Sequence, residues 1–116
     1  MGIFSSAEEK QKKAEDFLKP YILPSEILLK VYTNYTSHFA ITDKRLIGLD
    51  TTTEFPKKLI TSIAIDKISL VQIELGSSFA LKHEVNIYTS GKKTTAAFYD
   101  KEQTLDFFNR LTALTI

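Results

Sequence analysis

Phe39-Ala40-Ile41-Thr42-Asp43-Lys44-Arg45-Leu46-Ile47-Gly48-Leu49-Asp50 decides how the rest of the chain is read. An apolar strand runs into a polar corner, Thr42-Asp43-Lys44-Arg45, and returns at once as a second apolar strand. Phe39 and Ile41 fall on one face of the first strand, and His38 and Ala40 fall on the other. That period of two is the signature of a pleated strand. A corner this short makes the two strands antiparallel neighbours.

Working upstream, Asn34 marks a turn, and Ile27, Leu29 and Val31 alternate with Leu28, Lys30 and Tyr32 in an earlier strand from Ser25 to about Thr33. Pro20 and Pro24 stop whatever precedes it. Before them Ser6 and Glu9 have capping-box spacing, and Ala7, Ala14, Phe17 and Leu18 form a thin apolar stripe in a charged stretch. The spacing predicts a helix that must lean on its own domain or on a neighbouring chain. Downstream, residues 51–58 read as a loop, and Leu59, Thr61, Ile63 and Ile65 line one face of a fourth strand. Asp66 to Ser69 reads as a single turn. Val71, Ile73 and Leu75 give a fifth strand, which Gly76-Ser77-Ser78 stops. Leu81, His83, Val85 and Ile87 give a sixth, and after the Ser90-Gly91-Lys92 turn Thr94 to Tyr99 gives a seventh. Asp100 caps a last helix whose Leu105, Phe107, Phe108, Leu111 and Leu114 recur at helical spacing.

This order predicts a mainly β fold. Some seven antiparallel strands with short links must curl into a barrel or a two-sheet sandwich, with the C-terminal helix over the open end. The N-terminal helix and its linker, residues 1–24, precede a domain over residues 25–116.

Phe39 to Ile47 resembles the Thr-(Asn/Asp)-Lys-Arg-Leu corner of the bacterial pleckstrin-homology-like (PH-like) family. Ser62-Ile63-Ala64-Ile65-Asp66-Lys67-Ile68 resembles that family's Ile-Pro-Tyr-Lys-Ser-Ile strand and turn. The leading helix, the Leu23-Pro24-Ser25-Glu26 lead-in and the closing helix fit the same pattern, so the resemblance covers the chain from Phe17 onward. Gly76 to Leu81 only loosely echoes the apolar and acidic segment of many relatives. The resemblance implies a seven-stranded antiparallel barrel with a C-terminal helix, no assigned activity and frequent self-association. It does not imply inositol-lipid binding, because a fold by itself licenses no function.

Composition sets the outer limits. The 116 residues suit one domain, with 43% hydrophobic and 25% charged residues. Fifteen basic and fourteen acidic side chains leave a net charge of +1, which speaks against nucleic-acid binding, where phosphate neutralisation needs a basic excess. Cysteine is absent, so no disulfide, thiolate zinc site or cysteine nucleophile is available. The chain shows no signal-peptide pattern and no apolar run near the roughly 20 residues of a membrane span, so a cytoplasmic, soluble protein is expected. Gly2 and Ser6 match a loose myristoylation pattern, read here as coincidence ahead of a helix cap.

His38 and His83 have no metal-ligand spacing, no Gly-x-Ser-x-Gly elbow or glycine-rich phosphate loop occurs, and no nucleophile, base and orienter can be assembled. No enzyme, metal or cofactor is expected. An inositol-phosphate site needs several fixed cations on the first two strands, where Lys30 and His38 alone are offered. Lys30, Lys44, Arg45, Lys57, Lys58, Lys92 and Lys93 are the candidate contacts to anions or lipid headgroups. For Lys44 and Arg45 the turn role is favoured, with Asp43 and Lys44 solvated and Arg45 paired to a carboxylate such as Asp50 or Asp66. Phe17, Leu18, Tyr21 and Ile22 are the candidate association surface, since tyrosine is enriched at interfaces and the first helix has an undersized stripe. The expected function is a non-catalytic binding or assembly module, a homo-oligomer or protein-partner domain. The rival is a peripheral membrane module using the loop lysines with Ile3 and Phe4.

Overall fold

The structure, a computed structural model, describes residues 3–34, 37–50, 58–77 and 82–116, with side chains from residue 8 onward. The Ser6 capping box, the Gly2 pattern, the side chains of Ile3, Phe4 and Ala7, the loop over 51–57, Ser78 and Leu81 lie outside the described residues. Two compact units divide the chain, residues 1–63 and 64–116.

In the first unit, helix α1 (Ile3–Leu18) runs through a 3₁₀ turn at Lys19–Tyr21 into strands β1 (Leu28–Thr33), β2 (Ser37–Thr42), β3 (Arg45–Asp50) and β4 (Leu59–Ala64), whose last residue marks the boundary. The sheet order is β1-β2-β3-β4. Val31 pairs with Ala40 and Ala40 with Ile47, which puts these three and Leu49 on one face. Ala14 and Leu18 of α1 pack there, all six residues being at most 3% exposed. The thin stripe therefore docks on its own sheet, where Ala40 leaves room for a close helix. Tyr32, Ile41 and Leu46 occupy the opposite face and are also buried.

The alternation expected in the first strand fails at its start. A register shift between Leu28 and Lys30 breaks the period, so Ile27 is 64% exposed and Leu29 39%, while Tyr32 is 1% exposed beside buried Val31. In β4 the expected apolar face also thins out, since Leu59 is exposed and Ile63 is buried.

In the second unit, a 3₁₀ turn at Ile65–Lys67 precedes β5 (Leu70–Glu74), β6 (His83–Thr89) and β7 (Lys92–Phe98), and α2 (Lys101–Thr115) follows. These strands form an antiparallel sheet in the order β5-β6-β7. Strand alternation puts Val71, Ile73, Val85, Ile87, Ala96 and Phe98 on one face and Gln72, Glu74, Asn86 and Thr95 on the other. Among the described residues the seven strands lie in two antiparallel sheets, one of four and one of three strands, in place of the single seven-stranded barrel expected.

Asp100 caps α2 by accepting from the Glu102 backbone N–H at 2.9 Å. The helix packs on its own unit's sheet, with the Phe107 and Phe98 rings 4.9 Å apart. Its buried stripe is narrower than the sequence suggests. Phe107 and Leu111 are fully buried, Leu105 is exposed, and Thr104 is buried because its hydroxyl donates to Asp100 O at 2.7 Å.

The β6–β7 turn has φ of 46° at Ser90 and 82° at Gly91, between the paired residues Thr89 and Lys92. Two left-handed residues in a two-residue loop match the right-handed twist of the strands. Nothing lies within 4 Å of a Cβ built on Gly91, so a side chain there meets only backbone strain. Gly91→Ala is expected to lower unfolding free energy by about 1 kcal/mol, and Ser90→Asn to raise it by a few tenths, as measured by urea denaturation.

Candidate functional site

The polar corner between β2 and β3 is densely hydrogen-bonded. Thr42 is fully buried, and its hydroxyl oxygen accepts from the backbone N–H groups of Lys44 at 3.1 Å and Arg45 at 2.9 Å. A threonine opening the corner thus closes it with its own side chain. Asp43 accepts at Oδ1 from Ile27 N–H at 2.8 Å, and Asp43 N–H donates to Ile27 O at 3.0 Å. The corner is thereby stitched to the segment that leads into β1.

That lead-in has its own turn, in which Glu26 N–H donates to Leu23 O at 3.0 Å. It delivers the Glu26 carboxylate, whose side chain is 1% exposed, to Arg45. Oε2 accepts from Arg45 Nε at 2.7 Å and from the Thr42 hydroxyl at 2.9 Å. Oε1 accepts from Arg45 Nη2 at 2.7 Å and from Leu23 N–H at 2.8 Å. The guanidinium also donates to Tyr21 O at 2.5 Å and to Ser62 Oγ at 2.9 Å. Both oxygens of the carboxylate are doubly engaged, and the arginine fork is bidentate.

The electrostatics follow from this geometry. The Arg45 hydrogen bonds, assisted by Leu23 N–H and Thr42, outweigh burial and hold the Glu26 carboxyl at about 2, against an ordinary 4.5. The same contact raises Arg45 above its ordinary value. Arg45 therefore pairs with Glu26 rather than with the expected Asp50 or Asp66, and four of its five N–H groups are engaged within the protein. Asp43, expected to be only solvated, is a backbone cap. Glu26 itself was missed, since a carboxylate 19 positions from its arginine has no local spacing to mark it.

Lys30 is exposed on β1, Lys44 is exposed at the corner, and Lys57 lies outside the described residues. Lys58 is exposed, with Nζ 5.8 Å from the centre of the Phe17 ring. Lys92 and Lys93 begin β7 in the other unit. Of the candidate association residues, Leu18 is fully buried against its own sheet, Tyr21 and Ile22 pack partly buried beside it, and Phe17 is 43% exposed. His83 sits beside Val85 and Ile87 as the sequence suggests, with Nδ1 accepting from Gly76 N–H at 3.0 Å. Among the described residues no cluster of His, Asp and Glu could hold a metal ion, and no helix is long and apolar enough to cross a membrane.

A four-stranded and a three-stranded antiparallel sheet followed by a C-terminal helix define a PH-type domain. The profile described as "Bacterial PH domain" matches residues 1–114, and the chain belongs to that family, which is generally non-catalytic. Among solved structures it is similar to a pleckstrin homology domain from Shewanella amazonensis, with TM-score 0.75 and 21% identity over 91% of this chain and 88% of that one. A family protein with a pleckstrin-homology domain from Shewanella loihica gives 0.68 and 20% over 91% and 93%. A PH-domain-containing protein from Exiguobacterium sibiricum gives 0.66 and 19% over 84% and 55%. At these identities the likeness is one of fold. No curated protein matches the chain.

The folded carboxyl of Glu26 titrates at about 2 and the unfolded one near 4.5, so the unfolded state binds more protons between those values. The pair's contribution is complete above pH 4.5 and is lost as pH falls towards 2. Glu26→Gln is expected to cost about 3 kcal/mol, because Arg45 loses its ionic partner. It should also flatten the acid limb of a plot of unfolding free energy against pH, measured by urea titration beside the parent protein.

Proposed function

We propose that this domain is a non-catalytic assembly module that associates with a second copy of itself, or with another protein, through the apolar run leading into β1. Leu23 is 54% exposed, Ile27 64%, and Leu28 and Leu29 each 39%. This run is the observation that carries the reading, since exposed apolar side chains concentrated in one short segment mark interaction surfaces more often than free ones. The reading moves the contact away from the α1 stripe. Leu18 serves its own core, and Phe17, Tyr21 and Ile22 are at most neighbours of the surface. The reading places the module in the cytoplasm, and the near-neutral charge of +1 speaks against nucleic-acid partners.

A peripheral membrane role would draw on the loop lysines, each worth about 1 kcal/mol near an anionic bilayer. Lys58 faces the Phe17 ring, and acidic neighbours dilute the rest.

Light scattering across a range of concentrations should give a mass that is a multiple of 13.2 kDa for the parent protein, returning to 13.2 kDa for Ile27→Lys/Leu29→Lys. A parent protein that stays at 13.2 kDa throughout overturns self-association. Salt-sensitive co-sedimentation with phosphatidylserine vesicles would install the membrane reading instead.

A further inference from the structure

His38 is a buried titratable side chain that neither the corner nor the apolar run uses. It lies on β2 in the cross-strand row Thr33–His38–Leu49, on the sheet face that α1 covers, and is 9% exposed. Thr33 Oγ1 is 2.7 Å from its Nδ1. Phe17, in the last turn of α1, sets its ring against the imidazole at 5.5 Å between centroids and 31° between planes. Lys58 Nζ approaches the same phenyl ring at 5.8 Å. Among the described residues, Arg45 shares this face of β3 but is bound to Glu26, and the other flanking charges point elsewhere. By strand alternation Asp50 of β3 and Lys30 of β1 project to the opposite face, while Lys13 and Asp16 of α1 and Lys19 after it are exposed.

The Thr33 hydroxyl serves either state of the ring. It donates to a neutral Nδ1, or turns its proton to Asn34 O at 3.3 Å and accepts from Nδ1–H. Hydration separates the two states: at 9% exposed beneath the Phe17 ring, an imidazolium gives up water that an undocked ring regains. Burial accordingly lowers His38 below its ordinary 6.5. Among its described side chains, the helix it touches is held by Ala14, Leu18 and a Gln11 Nε2 bond to Val31 O at 3.1 Å. A single element can open at less cost than the whole fold.

We propose that His38 is a proton-operated latch for α1: neutral, it keeps Phe17 and the last turn of the helix on the sheet, and protonated, it releases α1 and uncovers Val31, Ala40, Ile47 and Leu49. The latch does not depend on whether β1 meets a second copy. The undocked ring, near 6.5, binds more protons than the docked one, so docking is at full strength above that pH and weakens below it. One proton changes the docking constant by up to about tenfold per pH unit until the docked ring also titrates.

The test is an NMR titration of the full chain from pH about 7.5 to about 5, following the His38 ring signal and the α1 amides. Protection of those amides, corrected for intrinsic exchange, should fall with the midpoint of His38. His38→Gln should abolish the response, and His83→Gln should keep it. The latch is overturned if α1 stays protected across the range, or opens at the same midpoint in His38→Gln. Should that variant not fold, agreement or disagreement of the ring and helix midpoints in the parent protein decides alone.

Discussion

Arg45 reaching Glu26 is the constraint on which the first unit depends. Seen from the chain, these residues lie at the start of two strands separated by a third, β2. Without a link at that end, the register of β1 would rest on its backbone ladder alone, which already breaks between Leu28 and Lys30. The bidentate pair, the Thr42 hydroxyl and the reciprocal Asp43–Ile27 bonds fix the beginning of β1 against the β2–β3 corner. The further bond to Tyr21 O reaches back to the 3₁₀ turn that follows α1. A buried ion pair is often no more stabilising than an apolar substitute. Here its use is positional, because an apolar group cannot specify which backbone carbonyl and which hydroxyl meet.

The same pairing limits what the corner can offer an anion. Phosphate recognition needs arginine donors aimed outward. In this corner the fork turns inward, and the exposed member is Lys44, a single ammonium on a flexible stem. The same economy holds in the second unit. Asn86 is 2% exposed and is spent between Glu74 and Thr95, donating to the first at 2.8 Å and accepting from the second at 2.8 Å. Glu26, Thr42 and Asn86 are in this way tied up in holding strands together.

What the sequence made legible was local. Strand β3 is expected and found from Arg45 to Asp50, because its alternation is unbroken and the corner before it is unambiguous. The Asp100 cap, the Ser90-Gly91 turn and the placement of His83 rest on contacts a few residues apart and are read correctly for the same reason. What depended on distant partners was not legible. Alternation says that a strand has two faces, but closure of a barrel is decided by which edges share hydrogen bonds, and those lie in two sheets. The bulge in β1 exchanges Leu29 for Tyr32 in the core without leaving a mark in composition. The destination of α1 was likewise open, since Ala14 and Leu18 are too few to name a partner until Ala40 is seen opposite them.

These internal commitments narrow the reading of function. Four of the five Arg45 N–H groups are engaged inside the first unit, which leaves little of the guanidinium for an outside anion. What the first unit leaves at its surface is apolar and follows from its own architecture. The bulge that lets Tyr32 turn inward turns Leu28 and Leu29 outward, and the Glu26 turn that anchors the strand displays Leu23 and Ile27 on either side of the anchored carboxylate. A smoother strand would have buried those side chains, and a looser lead-in would not have held them in one place. The distortion at β1 and the staple at Arg45 therefore act together, one exposing the apolar run and the other keeping it fixed. A rigid apolar surface loses less entropy on binding than a mobile one. That makes association through this segment the reading in which the domain's least regular feature has a use.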